Sequence, residues 1–231
     1  MPEQIAGRIP IDQPELKICH EAIYQYIYQE RWDLFQFPPK KHKRRRLRFN
    51  WRKPQCQIPQ RTFINNRPEI INQRLQFGHW EADSAISRAN LVALHVLYER
   101  KSRLIKITKI SRNSSDCVQR CVTRRLNPLP KPARLSITCD NGTENADHLE
   151  INRELKTASY FCNPYHSWEK GGVENSIGLV RRFIQKKQIC SVFLQTEITR
   201  IENLLNNRPR KCLNYRTPKE VFNTLNGAIP G

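Results

Sequence analysis

Three carboxylates stand in local sequences that suggest metal-assisted chemistry on a phosphodiester. Asp83 ends the sequence GHWEAD, Asp140 lies in TCDNG, and Glu174 lies in KGGVEN. In-line displacement at a phosphodiester uses two Mg²⁺ ions about 3.5 to 4 Å apart, and such hard cations are held by carboxylate oxygens, water and substrate phosphate. Three carboxylates from separate elements can supply those ligands, so the sequence suggests a two-metal site.

Each carboxylate also has an ordinary structural explanation. Asp-Asn-Gly, as at Asp140, is a common turn sequence, and an acid at the start of a helix, as expected for Glu174, interacts favourably with the helix dipole. Asp83 is harder to explain in this way, because it follows a Trp in an apolar strand where an unpaired carboxylate is costly. Spacing alone leaves both interpretations open.

The elements that must position these carboxylates form a predicted α/β arrangement from about residue 75 onward. Three strand-like segments, 79–86, 91–98 and 103–110, are joined by short polar turns and indicate an antiparallel meander. The elements that follow are helix 113–126, strand 134–139, helix 147–155, strand 159–162 and a long helix from 169 or 172 to 187. This order predicts a mixed sheet with flanking helices.

Positions within these elements suggest neighbours for the carboxylates. Glu81 and Asp83 are two residues apart on a strand and therefore point to the same face, so Glu81 is expected either just outside the metal ligands or as an alternate ligand. Asp140 follows a strand, at the edge where open α/β sheets place their sites. The side of the long helix that carries Glu174 also carries Gly178, Arg181 and Arg182. The glycine would let DNA approach closely, and the arginines would form a phosphate-binding ridge.

The composition points to nucleic acid as the partner. The 231 residues include 40 Lys and Arg against 21 Asp and Glu, which gives a formal net charge of +19. A chain this basic is expected to bind a polyanion, and nucleic acid fits best. At 38% hydrophobic, the chain can bury one core and carry a small appended module.

Cysteine usage and the absence of targeting signals indicate a soluble protein of the cytosol. The eight cysteines are scattered without a Cys-x-x-Cys pair, and we interpret them as reduced thiols. The N-terminus lacks a basic start followed by an apolar run, and no stretch of 18 apolar residues occurs. No membrane partner is expected.

Residues 2–30 are predicted to form two short helices around a turn. Apolar residues at helical spacing mark the predicted buried faces, namely Ile5 and Ile9 in the first helix and Ile23, Tyr26 and Ile27 in the second. The outward face of the second helix would comprise His20, Glu21, Tyr24, Gln25 and Tyr28. This face would suit a recognition helix, although an ordinary helical hairpin is the alternative, because helix-turn-helix spacing is a weak signal.

A basic run follows these helices. Seven of the nine residues from Lys40 to Arg48 are basic, among them Lys43, Arg44, Arg45 and Arg46. Such a run repels itself and is expected to be extended without a partner, so a solvated segment and a nuclear-localisation signal are open alternatives. Aromatic residues on both sides and the basic character of the whole chain favour a linker that tracks phosphates.

Several ordered motifs resemble those of one family. They are GHWEAD at 78–83, YERKSR at 98–103, DNG at 140–142, PYHSWEKG at 164–171 and LNNRPRK at 205–211, with 33 residues between Asp140 and Glu174. They closely resemble the insertion-sequence-thirty family of bacterial transposases over nearly the whole chain. The resemblance implies an integrase core of ribonuclease-H-like fold, with a mixed five-stranded sheet and flanking helices, preceded by a helix-turn-helix module and a basic linker.

The resemblance also implies roles for residues. Asp83, Asp140 and Glu174 match the Asp-Asp-Glu triad, which would hold two Mg²⁺ ions, with Mn²⁺ as a substitute. Implied DNA contacts are His20 and Gln25 in the helix-turn-helix, the basic run, and His166, Lys170, Arg181 and Arg182 near the triad. A surface histidine is an ordinary alternative for His166.

The implied activity is cleavage of DNA at the ends of a mobile element and strand transfer into target DNA. The partners would be the terminal inverted repeats, the target DNA and further copies of the chain assembled on DNA. The expected domains are a helix-turn-helix segment at 1–35, a basic linker at 36–74 and a catalytic core at 75–231 with a C-terminal helical tail.

The chain departs from the family pattern in a few places. Family members usually carry additional DNA-binding sequence upstream, so the N-terminal segment is expected to be truncated. Cys19 stands where a serine helix cap is usual, and Asn214 replaces a glycine that can adopt a left-handed conformation, which Asn also tolerates. One rival function is therefore a non-catalytic, DNA-binding remnant that acts as a repressor. A general nuclease of the same fold is a second rival, which a sequence-reading module disfavours.

Overall fold

A computed structural model describes residues 1–31, 34, 58–86, 92–164, 166–184 and 193–227. The chain divides into two compact units, one formed by Met1–Gln55 with Pro209–Thr217 and the other by Cys56–Arg208 with Pro218–Gly231. The basic run around Lys43, Arg44, Arg45 and Arg46 lies outside the described residues. Residues 58–74, which fall within the predicted linker, belong to the second unit, where Ile58 is buried in the core.

The second unit is built on the predicted mixed five-stranded sheet. Its strands are β1 (His79–Ile86), β2 (Ala93–Glu99), β3 (Ile105–Ile110), β4 (Ser136–Cys139) and β5 (Ala158–Phe161). They lie in the order β3-β2-β1-β4-β5, with antiparallel pairing among the first three and parallel pairing from β1 to β4 and from β4 to β5. The predicted meander is therefore confirmed, and each strand starts and ends within two residues of its prediction.

Eight α-helices are present in the described part of the chain. In order they are α1 (Pro2–Asp12), α2 (His20–Glu30), α3 (Glu69–Asn72), α4 (Ser115–Leu126), α5 (His148–Leu155), α6 (Gly171–Val180), α7 (Gln195–Asn206) and α8 (Pro218–Leu225). The predicted long helix is wrong in length, because α6 ends at Val180. Backbone bonds from Arg182 to Leu179 and from Phe183 to Val180 then follow the tighter i to i−3 pattern. None of the described helices has the length and apolar character needed to span a membrane.

Side chains alternate between the two faces of β1 and enter two separate cores. Trp80 and Ala82 pack with residues of α4 and α5, whereas Ala85 packs with residues of α6 and α7. Trp80 is fully buried, and its indole N–H donates to the carbonyl of Ala133 at 2.8 Å. Since strand side chains alternate, Glu81 and Asp83 share the face of Ala85, as predicted. The α6–α7 side of the sheet is thus the side of the candidate site.

Helix α7 satisfies the backbone of the edge strand β3. The side chain of Asn206, which is buried, accepts a hydrogen bond from the N–H of Ile105 at 2.9 Å and donates to its carbonyl at 2.7 Å. Glu202 accepts from the N–H of Ile107 at 2.6 Å. Side-chain bonds of this kind occupy backbone groups that an unprotected edge would offer to another chain.

The first unit contains the two predicted N-terminal helices. Ile5 is 49% exposed and Tyr26 is 53% exposed, so the prediction that both are buried is wrong. On α1, Gln4 donates to the carbonyl of Pro209 at 2.8 Å, and the exposed side chains of Glu3 and Lys211 pair at 2.7 Å. Neither α1 nor α2 contains a buried residue, so apolar spacing alone did not predict burial here.

Both substitutions noted in the family pattern are accommodated within this unit. The thiol of Cys19 accepts from the N–H of Ala22 at 3.4 Å and therefore caps α2. Asn214 adopts the left-handed conformation, with φ of 52°. The six described cysteines, which include Cys19, are free thiols.

The buried histidine of β2 makes folding sensitive to acid. His95 is 2% exposed, and its Nδ1 lies 3.1 Å from the hydroxyl of Ser84. Burial and, to a smaller extent, the charge of Lys170 lower the pKa of His95 to about 4, although Asp140 opposes the shift. A folded-state pKa below the unfolded value means that the unfolded chain binds the extra proton, so stability falls as the pH drops from about 6.5 towards 4.

We therefore expect His95→Gln to weaken the acid sensitivity of the second unit. Between pH 7.5 and pH 5 the wild type should lose about 2 kcal/mol more unfolding free energy than the variant. Urea unfolding at the two pH values measures this difference, with His20→Gln, at an exposed histidine, as the control. Equal losses in the wild type and His95→Gln would show that His95 does not govern the acid response.

Candidate active site

Asp83 and Asp140 stand side by side at the carboxyl edge of two parallel strands. β1 and β4 pair in register through Glu81 and Thr138, and the two aspartates lie two positions beyond that pair. Asp83 is still within β1, whereas Asp140 is the first residue after β4. Parallel strands bring their carboxyl ends to one edge, which is where open α/β sheets place ligands. The sheet thus brings the first two predicted triad residues together.

The ammonium group of Lys170 lies between these carboxylates. Its Nζ is 3.1 Å from Oδ2 of Asp140 and 3.6 Å from Oδ1 of Asp83, and it donates to the carbonyl of Ala82 at 3.3 Å. The Lys170 side chain is only 3% exposed. Lys170 was predicted to contact phosphate, and this role stays a prediction. In the structure its charge is engaged by the two aspartates.

Local hydrogen bonds orient the two carboxylates. Oδ1 of Asp140 accepts from the side-chain amide of Asn145 at 2.9 Å and from the N–H of Gly142 at 3.2 Å. Oδ1 of Asp83 accepts from the N–H of Ser84 at 2.8 Å. The Asp-Asn-Gly turn therefore positions Asp140 and leaves its second oxygen for Lys170.

Burial and neighbouring charges shift the pKa values of Asp83 and Lys170. Burial raises the pKa of Asp83 above its usual range; the ammonium of Lys170 opposes this, and the charge of Asp140 adds to it. Burial lowers the pKa of Lys170, but Asp140 and Asp83 outweigh this and leave it above the ordinary value. Lys170 is consequently a cation at neutral pH, and the aspartates share its charge.

Glu174 lies in the first turn of α6, one residue after Val173. Its side chain is exposed and makes no hydrogen bond or ion pair with the described residues. No group of three or more His, Cys, Asp or Glu side chains in the described ranges is arranged to hold a metal ion. The convergence of Glu174 with the two aspartates therefore stays a prediction.

The contacts of Glu81 favour the expected position just outside the ligands over the role of an alternate ligand. Glu81 is fully buried, one of its oxygens pairs with Arg100, and the other accepts from the N–H of Val173 at 2.9 Å. Glu81 shares the face of Asp83 as expected, but both of its oxygens are engaged away from the site.

The donor chemistry around Lys170 suits a hard divalent cation. Asp83 and Asp140 already surround one positive charge, and oxygen ligands of this type are those that Mg²⁺ and Mn²⁺ prefer. Glu174, four residues after Lys170, would supply the third carboxylate. These residues fit the ion that the family resemblance implies.

The predicted DNA contacts lie in different settings. His20 and Gln25 are exposed on α2, and Nδ1 of His166 is 3.3 Å from Oε1 of Glu169. Arg182 is exposed after α6, with Arg181 half-buried beside it. All of these DNA contacts stay predictions.

Two features near the end of α6 are consistent with a polyanion partner. Burial and the charge of Arg182 lower the pKa of Arg208, so these two cations lie close to each other. A side chain at Gly178 would meet no atom within 4 Å, so this part of the helix surface is open.

Sequence reasoning missed two residues that influence the aspartates. Asn145 orients Asp140, and the charge of Glu144 contributes to the raised pKa of Asp83. Both follow the Asp-Asn-Gly turn within five residues of Asp140, which is a local signal that could have suggested them. The contact of Arg100 with Glu81 spans 19 residues and has no such signal.

Comparison with known proteins identifies the family. No protein-family model matches the chain. It is 36% identical over 227 residues to the transposase for insertion sequence element IS4351 of Bacteroides fragilis, covering 97% of this chain and 69% of that protein. The transposase for IS1086 of Cupriavidus metallidurans is 35% identical over 216 residues, covering 91% of this chain and 64% of that protein. Transposase InsI for IS30A of Escherichia coli is 34% identical over 232 residues, covering 96% of this chain and 60% of that protein.

The chain belongs to the insertion-sequence-thirty family of transposases. Solved structures confirm the ribonuclease-H-like integrase-core fold of this family member. The catalytic core domain of BIV integrase matches with a TM-score of 0.50 at 18% identity, covering 63% of this chain and 93% of that one. A chain of the simian T-cell lymphotropic virus intasome in complex with PP2A regulatory subunit B56 gamma matches with a TM-score of 0.54 at 18% identity, covering 74% and 60%. At this identity the likeness concerns the fold alone.

In this transposase-family chain, we expect Lys170→Gln to tighten the binding of divalent metal. The metal would no longer compete with an ammonium for Asp83 and Asp140, so the affinity for Mn²⁺ should rise by about tenfold or more. Isothermal titration calorimetry measures the affinity for Mn²⁺, with Lys131→Gln, at an exposed lysine, as the control. An unchanged or weaker affinity in Lys170→Gln would show that the ammonium and the metal do not compete.

Proposed function

We propose that this chain is a DDE transposase that cleaves DNA strands at the ends of a mobile element and transfers them into target DNA. The observation that carries the proposal is the meeting of Asp83 and Asp140 at one buried cation on the carboxyl edge of an integrase-type sheet. The chain spans 69%, 64% and 60% of the three relatives' lengths, so their activity is proposed for it on the strength of the site.

Asp83, Asp140 and Glu174 are proposed to hold two Mg²⁺ ions, for which Mn²⁺ can substitute. When bound, such ions stabilise the attacking and leaving oxygens of an in-line displacement. The residues of the chain supply the rest: Asn145 fixes the orientation of Asp140, and Lys170 balances the carboxylate charges. Strand transfer by direct displacement needs no covalent bond between protein and DNA.

DNA recognition is proposed to involve both units. His20 and Gln25 on α2 would read the terminal inverted repeats, in keeping with their exposure on one helix. Lys43, Arg44, Arg45 and Arg46, outside the described residues, would track phosphates. The remaining contacts proposed for the DNA end are His166, Lys170, Arg181 and Arg182. The active species would be a homo-oligomer on DNA in the bacterial cytosol.

The decisive variant is Asp140→Asn. It removes one charge and one ligand but keeps the size of the side chain, so metal-dependent strand transfer should fall by orders of magnitude. DNA binding should persist, because losing an anion near phosphate only reduces repulsion. The assay is strand transfer of a labelled inverted-repeat end in Mg²⁺ or Mn²⁺, with a gel-shift measurement in parallel.

Asp116→Asn is the matched control for this experiment. Asp116 pairs with Arg120 on the surface of α4, so the same chemical change should leave strand transfer intact. A wild type that binds its terminal repeat tightly without transferring strands would favour the non-catalytic remnant instead. If Asp140→Asn loses binding together with activity, Asp140 serves the fold and not the metal.

The basic run can be tested through the salt dependence of DNA binding. If the basic run neutralises about six phosphates, the slope of log K for DNA binding against log salt concentration should be about −5, because each contact contributes about −0.9. Replacing its seven basic residues by Gln or Ser should flatten the slope measured by fluorescence anisotropy. An unchanged slope would show that the run is only a solvated linker.

A further inference from the structure

A buried carboxylate connects the strand of Asp83 to the helix of Glu174. Glu81 lies two residues before Asp83 on β1, and none of its surface is exposed. A charge in such a place is costly unless each oxygen is paired. Its two oxygens are therefore expected to bind fixed partners, and the identity of those partners indicates what Glu81 does.

One oxygen of Glu81 caps helix α6. Oε2 accepts from the N–H of Val173 at 2.9 Å, in the first turn, where backbone N–H groups have no partner within the helix. Lys170, the residue at the N-cap, makes no capping bond with its own side chain. Glu81 thus supplies the cap from the neighbouring strand, where the helix dipole also favours an anion.

The other oxygen is fixed by a buried cation. Oε1 of Glu81 pairs with the guanidinium of Arg100, which is 4% exposed. The same guanidinium donates to the carbonyls of Ile71 at 3.3 Å and Asn72 at 3.4 Å, at the end of α3. Glu81 is consequently held at one position by contacts on both sides.

The helix lies directly against this arrangement. A Cβ atom at Gly172 would overlap the ring of Tyr98 and would lie 2.7 Å from Oε2 of Glu81. Only a glycine lets the first turn of α6 approach the strand surface so closely. Val173, the next residue, is fully buried and precedes Glu174. The distance of Glu174 from β1 is therefore set by the contact of Glu81 with this turn.

We propose that Glu81, held by Arg100, is a positioning residue that places Glu174 relative to Asp83. It touches no reacting atom and acts through the first turn of α6. The inference rests on the proposed function in one respect, namely that Glu174 belongs to the metal site. It goes beyond that function by assigning a role to a residue outside the triad.

The test compares Glu81→Gln with Glu99→Gln. Glu99 is equally buried, but within the described residues it accepts only from the turn after β2 and from Gly78, so it is a matched carboxylate with no hydrogen bond to α6. In Glu81→Gln the amide cannot satisfy both Arg100 and Val173. We expect strand transfer per folded molecule to fall about 100-fold, as for a misplacement of about 1 Å, with unchanged affinity for the DNA end.

Two further readouts separate positioning from mere folding. Hydrogen exchange at the amides of α6 should accelerate in Glu81→Gln and not in Glu99→Gln, and the affinity for Mn²⁺ should fall only in the former. The double variant Glu81→Gln/Arg100→Gln removes the unpaired cation and should recover part of the activity and of the exchange protection.

Each outcome decides the proposal. If Glu81→Gln matches Glu99→Gln in exchange at α6 and in Mn²⁺ affinity, the positioning role is overturned. Faster exchange with full activity overturns it as well. A wild type without strand transfer would refute the proposed function, while exchange and Mn²⁺ affinity would still decide the role of Glu81.

Discussion

The parallel pairing of β1 with β4 is the constraint on which the site depends. It places Asp83 of β1 beside Asp140 at the end of β4, where two like charges a few ångströms apart repel each other by about 4 kcal/mol at an effective dielectric of about 20. Such a pair requires a shared cation or the protonation of one carboxylate. Lys170 supplies that charge at 3.1 Å and 3.6 Å, and it is also the residue from which α6 starts. Sheet, helix and site are thus coupled by one electrostatic requirement.

Local patterns sufficed for the strands of the sheet and for the positions of the two aspartates along them. Strand periodicity located β1 to β5 within two residues, and the turn sequence at Asp140 correctly placed it at a strand end. The family resemblance supplied the fold name, which the two integrase structures confirm. These features depend on neighbours in sequence or on motifs, so a single sequence contains them.

Long-range polar contacts could not be predicted in the same way. Asn206 satisfies the edge strand at Ile105 across 101 residues, and Glu81 caps α6 across 92. Buried polar pairing follows from tertiary geometry and not from periodicity. The exposure of Ile5 and Tyr26 has a related origin, because apolar spacing does not show whether another element covers a helix face. From its strand position alone, Glu81 could be expected just outside the ligands or as an alternate ligand, but its contacts with Arg100 and Val173 could not be predicted.

The buried and half-buried carboxylates of the second unit differ in how much acceptor capacity remains to them. Glu99 accepts four hydrogen bonds from the turn after β2 and Gly78. One oxygen of Glu81 pairs with Arg100, and the other accepts from the N–H of Val173. Asp83 accepts one backbone bond besides its contact with Lys170, and its side chain is 22% exposed. An ionised carboxylate offers about four acceptor sites. Glu99 and Glu81 thus hold the fold through buried contacts, whereas Asp83 keeps acceptor capacity at the open edge of the sheet, beside the more exposed Asp140. That difference distinguishes a carboxylate that can hold a metal from one that fixes the elements around it.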